Sequence, residues 1–220
     1  MALITALLFS LFAMQPLLPD TSAPYIDPGQ DEAGFRAWVA ADPTHQAQFD
    51  AYAAYLRGAG VAEVAPLWQL TRTASQWNEC DQPAFEVPPV TYWAGIVDTL
   101  RYTQEAVKPA IGEVEVLSVY RNPYLNSCAG GSARSSHRNN QAIDMVPRYP
   151  FERGELMNRL CTMHARYGRQ YDVGFGFYVG LRFHVDTWNY RIWGVDPDQG
   201  GDQCRIALSR REAAREDQHD

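Results

Sequence analysis

The chain has 220 residues and a mass of 24.8 kDa, and 46% of its residues are hydrophobic, enough for one domain with a real core, or one domain with a helical extension. A net charge of −7 and a pI near 5.2 argue against nucleic acid as a partner. No low-complexity segment or internal repeat is visible, which excludes a repeat array. Six Trp and twelve Tyr read mainly as core, although aromatic side chains also line grooves for peptide or sugar.

In chain order, residues 1–23 read as a secretory leader. Residues 2–18 are almost wholly apolar, too short and Pro-punctuated for a membrane span. No Lys or Arg precedes the run, and Pro24 follows the cleavage candidate Thr21-Ser22-Ala23. An uncleaved anchor, giving membrane attachment through the N-terminus, is the alternative.

Residues 24–87 form a helical extension. A polar, Pro-rich link gives way to a helix over 31–40 with Phe35 and Trp38 on one side. Asp42-Pro43-Thr44 ends it and offers Thr44 as the next N-cap. Phe49, Tyr52, Ala53 and Leu56, at i, i+3, i+4 and i+7, form an amphipathic helix stopped by Gly58. A third helical piece is expected over 61–73. The extension packs beside the remaining chain, with a small wall-binding module as the other reading.

Residues 88–208 carry mixed elements. Pro88-Pro89 precedes a helix burying Trp93, Ile96, Val97, Leu100 and Val107, closed by Pro109 and Gly112. Strands are predicted over 113–120, 142–146, 173–178 and 181–187, the last two joined by a tight turn at Val179-Gly180. A helix over 151–167 buries Leu156, Met157, Leu160 and Cys161. The class is α+β: a small antiparallel sheet with flanking helices. Residues 209–220 form a charged, frayed tail.

Cys80, Cys128, Cys161 and Cys204 contain no C-x-x-C pair, so a cysteine metal site is not expected. Two disulfides in an oxidising compartment are, with three pairings open. A bridge at Cys128 would brace the Gly-rich loop leading to His137. His45 and His219 read as surface residues, and His164 as a hydrogen-bonded core residue.

The chemistry concentrates in Ser135–Asp144 and Phe183–Thr187. Strand alternation puts Asp144 on one face with Ala142 and Val146, and His184 with Asp186 on one face of their strand. If these strands are neighbours, Asp144 and His184 converge, and His137 swings in from its loop. Two imidazoles, one carboxylate and a water make a four-coordinate zinc site with one open position. Asp186 is assigned as the base by proximity, with a fourth ligand or a histidine's hydrogen-bond partner as alternatives.

Tyr120-Arg121-Asn122-Pro123, Asn126, Gly130-Gly131, Ser135-x-His137 through Ala142-x-Asp144, and Phe183-His184-Val185-Asp186-Thr187 with Trp193 together resemble the zinc D-Ala-D-Ala carboxypeptidases and murein peptidases. That family is related in fold to the hedgehog signalling domain. The resemblance covers about residues 88–194. It implies His137, Asp144 and His184 as ligands of one zinc ion, and Arg121 as the residue stabilising the scissile carbonyl. Arg121 otherwise reads as a salt bridge, and Ser135 as either a substrate contact or a turn cap. Asn140 replaces the family's Gly, and Asn tolerates left-handed backbone. Leu181 stands where many members carry the catalytic acid. The implied activity is hydrolysis of amide bonds in peptidoglycan stem peptides, of D-Ala-D-Ala carboxypeptidase or murein endopeptidase type, in the periplasm or cell envelope. A non-catalytic zinc-holding protein that binds cell-wall peptide is the competing expectation, and a hydrolase of some other amide a third.

Overall fold

A computed structural model describes residues 19–194 and Cys204; the leader through residue 18 and the tail at 209–220 lie outside the described residues. The first helix, α1 (Glu32–Ala41), starts where the Asp31 carboxylate accepts the Gly34 N–H at 2.7 Å. It is followed at once by α2 (Pro43–Gly58). The residue between them is the cap: Asp42 Oδ1 accepts from Thr44 N and Thr44 Oγ1, both at 2.7 Å. Thr44 itself is already helical, because Pro43 fits the first turn and shifts the cap to the residue before it. The third helical piece shrinks to one 3₁₀ stretch, Leu67–Thr71. Pro66 explains this, since its ring and missing N–H bar a helix running through from residue 61.

From Val90 to Ile111 the chain stays helical but changes pitch. It passes from 3₁₀ (Val90–Ile96) through α3 (Val97–Tyr102) and a π-helical turn (Thr103–Val107) to α4 (Lys108–Ile111). The widened turn lies immediately before Pro109, whose ring would clash in a regular helix. Gly112, at φ 84°, ends the run.

The protein is α+β, with a five-stranded sheet of β1 (Val114–Ser118), β2 (Ala142–Pro147), β3 (Gly174–Phe177), β4 (Phe183–Asp186) and β5 (Arg191–Gly194). Helix α5 (Pro123–Cys128) lies between β1 and β2, and α6 (Arg153–Tyr167) between β2 and β3. The spatial order is β1-β2-β4-β3-β5. The β1–β2, β2–β4 and β4–β3 pairs are antiparallel, whereas β5 joins β3 in parallel. The sheet is therefore mixed, not antiparallel as the sequence suggested. Both edges of β4 are occupied, and the chain leaving it pairs with the free edge of the neighbouring β3. Running opposite to β4, it meets β3 in the same sense.

One sheet face carries Ile143, Met145, Phe175, Phe177, Phe183 and Val185, all buried in the core. Leu156, Met157, Leu160 and Cys161 of α6 fill the same core, as do Tyr52 and Leu56 of α2. The helical extension and the sheet thus share one interior.

The outer edge of β1 is covered, as an unpaired edge must be. Gln69 Oε1 accepts from Val116 N at 3.1 Å, and Val119 N donates to Arg72 O at 2.9 Å. Arg72, 1% exposed, donates to Glu115 Oε1 at 2.8 Å, to Gln30 O at 2.7 Å and to the carbonyl of Val116. Further stitches come from the Cys80–Cys128 and Cys161–Cys204 disulfides, which point to an oxidising, exported location. At the N-terminal side, Asp20 pairs with Arg148 at 2.6 Å and Thr21 N donates to Arg148 O at 2.8 Å. Among the described residues, no helix is long and apolar enough to cross a membrane.

Deleting one member of a buried pair strands the other's charge, at a cost of about 3–5 kcal/mol. Glu115→Ala should lower the unfolding free energy by about that much in a denaturant titration. An unchanged midpoint would show that Arg72 holds the β1 edge through its carbonyl contacts alone.

Candidate metal centre

Register brings the site together. Asp144 on β2 faces His184 on β4 directly, with Ser118 of β1 on one side and Gly176 of β3 on the other. The next row holds Ala142, Asp186, Gly174 and Arg191. His137 comes from a 3₁₀ turn, Ser136–Asn139, closed by Asn140 in the left-handed region at φ 52°. A Cβ on Gly95 would lie 2.8 Å from Asn139 O, so the 90–96 helical segment presses directly on this turn. The preceding loop is anchored by the Cys80–Cys128 bridge and by Asn126, whose carbonyl accepts from Gly131 N at 2.8 Å and whose Nδ2 donates to Ser132 O at 2.9 Å.

The three candidate ligand atoms face one another. His184 Nδ1 lies 2.9 Å and His137 Nε2 3.2 Å from Asp144 Oδ1, and the two nitrogens are 3.2 Å apart. The other ring nitrogens fix the tautomers. His137 Nδ1 lies 2.6 Å from Val119 O, which can only accept, so Nδ1 carries the proton. His184 Nε2 lies 2.8 Å from the Asp186 carboxylate and is likewise the donor. With neutral rings, His137 Nε2, His184 Nδ1 and Asp144 Oδ1 are three electron-pair acceptors at hydrogen-bond distance with no proton between them. Such a cluster calls for a cation in its midst, either a proton or a metal ion. The residues fit the ion: these three buried side chains form a group that could hold a metal.

Electrostatics divide the histidines. Burial and the neighbouring Arg121 push His137 down to about 4, so it is neutral near pH 7. Burial also opposes charge on His184, but Asp144 and Asp186 outweigh it and raise its pKa above 6.5. Asp144 is fully buried and still held well below the usual carboxylate range; His137, Arg182 and Arg121 outweigh its burial. Its oxygens have separate tasks. Oδ1 faces the imidazoles, while Oδ2 accepts from Arg121 at 2.5 Å and Arg182 at 2.8 Å. That division leaves one oxygen for a cation.

His137 and His184 line a cleft of about 630 Å³ together with Arg121, Ser135, Tyr178 and Trp193, among others. Arg121 is thus both a salt-bridge partner of Asp144 and a wall of the cleft. Ser135 flanks the 3₁₀ turn without a side-chain capping bond, which removes the turn-cap reading. Asp186 is placed differently from the base expected of it. Its carboxylate is fully buried behind His184, accepts from Arg191 Nη1 at 3.0 Å and Nη2 at 2.6 Å, and is not part of the cleft lining. The reason is strand geometry: two residues along one face carry a side chain about 7 Å away, to the far nitrogen of the imidazole. Asp186 is thus a hydrogen-bond partner of His184.

Two glycines make this second row possible. A Cβ on Gly174 would lie 2.3 Å from Arg191 Nη1 and 2.6 Å from Asp186 Oδ2; one on Gly176 would lie 2.2 Å from the Trp193 ring. Their absence lets Arg191 and Trp193 reach across β3 from β5, and Trp193 packs 5.2 Å from His184 between ring centroids. Sequence reasoning missed Gly174, Gly176, Tyr178, Arg182 and Arg191. The signal was present in Gly174-Phe-Gly-Phe177, a strand with glycine on every site-facing position. No protein-family profile, curated protein or solved structure matches the chain.

Asp186→Ala should weaken metal binding about 10–100-fold without abolishing it, as read by competition with a chromophoric chelator; equal affinity would remove its orienting role. The metal-free protein should also show a pH signature. His184, with a raised folded pKa, contributes stability that is full below 6.5 and is lost as pH rises through its folded value. The unfolding temperature of the metal-free protein should therefore fall on the alkaline side of 6.5, and added Zn²⁺ should abolish that fall. A flat calorimetric profile would contradict the proton–metal exchange.

Proposed function

We propose that this chain is an exported zinc metallopeptidase that hydrolyses amide bonds in peptidoglycan stem peptides. The observation that carries the reading is the convergence of His137 Nε2, His184 Nδ1 and Asp144 Oδ1, 2.9–3.2 Å apart, with both histidines on the lining of a cleft. Two imidazoles and a carboxylate suit zinc. The ion, when bound, polarises a carbonyl and lowers the pKa of a water toward ~7.

The chain's own residues supply the rest. His137 donates to Val119 O and His184 to Asp186, so both rings present lone pairs. Arg182 holds Asp144 Oδ2 from outside the cleft lining, which leaves Arg121, on the lining, to turn toward a substrate carbonyl while Oδ2 keeps one guanidinium. Ser135, on the cleft lining, contacts the peptide in this reading. The disulfides support action outside the cytoplasm.

One observation favours a second reading, a zinc-holding protein that binds wall peptide without turnover. Among the described residues, no carboxylate lines the cleft to take a proton from water. Product analysis of a muropeptide digest separates the two. The peptidase reading expects cleavage that chelator abolishes and zinc restores, and His137→Ala should lose both zinc and turnover. Cleavage that survives chelator overturns the mechanism, and zinc-loaded protein that binds muropeptides without cleaving them establishes the second reading.

A further inference from the structure

The site contains a hydroxyl that its hydrogen bonds leave underused. Tyr178 follows the last residue of β3, and its backbone N donates to Arg182 O at 3.0 Å. Its ring is wedged edge-on against Trp193, centroids 5.4 Å apart, with the Arg182 guanidinium 5.1 Å from the ring centre. The phenol is therefore held by packing on two sides. Its oxygen lies 3.3 Å from Asp144 Oδ1 and 3.5 Å from Oδ2, well beyond the ~2.7–2.8 Å of a good O–H···O bond. Asp144 already accepts from two guanidiniums at 2.5 and 2.8 Å, so the phenol proton adds little there. Among the described residues no other hydroxyl lies within hydrogen-bond distance of Asp144, and Tyr178 lines the same cleft as Arg121.

We infer that Tyr178 donates its O–H to the acyl oxygen of the bound substrate, as the second donor beside Arg121. A carbonyl oxygen gains negative charge as its carbon becomes tetrahedral, and a rigid donor aimed there stabilises that charge without reorganising. The wedged ring supplies the rigidity, and the long contacts to Asp144 leave the proton free for a better acceptor. The role goes beyond the proposed zinc chemistry but rests on this cleft receiving a scissile amide.

Tyr178→Phe removes the hydroxyl and keeps the ring between Trp193 and Arg182. Three quantities are compared in zinc-loaded wild type and variant: zinc content, the Kd for a phosphinate analogue of D-Ala-D-Ala, whose tetrahedral oxygens mimic the charged acyl oxygen, and kcat/KM on stem peptide. The expected result is full zinc occupancy, phosphinate binding weakened roughly tenfold or more, and kcat/KM reduced about 10²-fold. Equal phosphinate affinity in the two proteins overturns the inference. So does parallel loss of zinc, which would make Tyr178 a support for Asp144 only, and so does a wild type that binds zinc but no phosphinate. If the wild type binds phosphinate and cleaves nothing, the peptidase reading fails, while the affinity difference still decides the role of Tyr178.

Discussion

Everything at this site follows from holding two imidazole nitrogens and a carboxylate oxygen against one another in a buried position, where a cation, proton or metal ion, must sit among them. His137 spends its only N–H on Val119 O, and His184 spends its own on Asp186. Asp144 Oδ1 then faces the remaining nitrogen of each ring. In water such an arrangement would relax apart. Here the sheet register, the turn around His137 and two arginines on Asp144 Oδ2 prevent it. A buried polar cluster left unsatisfied is costly, and that cost is what a bound cation removes.

The supporting structure is arranged to keep that cluster tight. Each of the three side chains is held from behind: His137 by Val119 O, Asp144 by Arg182, and His184 by Asp186, which Arg191 pairs with in turn. The glycines of β3 are the geometric condition for the last of these, since any side chain at Gly174 would occupy the path of the Arg191 guanidinium. The Cys80–Cys128 bridge acts one step further back, fixing the loop that delivers His137. Rigid outer contacts of this kind separate a preformed site from one assembled by its ligand.

The cleft wall is cationic and aromatic. Arg121, Arg134 and Arg191 line it together with Tyr178, Trp188 and Trp193, although the whole chain is acidic. Two of these arginines are paired with buried carboxylates, Arg121 with Asp144 and Arg191 with Asp186.

Much was already determined by sequence alone. Period-2 alternation put Asp144 on one face of its strand and His184 with Asp186 on one face of another. The helical spacing of Phe49, Tyr52, Ala53 and Leu56 marked α2, and the helix at 151–167 was found with the residues it buries. An even cysteine count gave two disulfides. These features depend on neighbours along the chain, or on counting. Only the tertiary structure decided the rest, because it depends on which strand lies beside which. The parallel docking of β5 follows from both edges of β4 being taken. That docking carries Arg191 across Gly174 to Asp186, whose carboxylate also accepts from His184. Tyr178 and Arg182 lie 34 and 38 residues beyond Asp144, and no local pattern couples them to it. They meet because β2 and β4 pair in one register, and a shift of one residue would have turned Asp144 toward the opposite face.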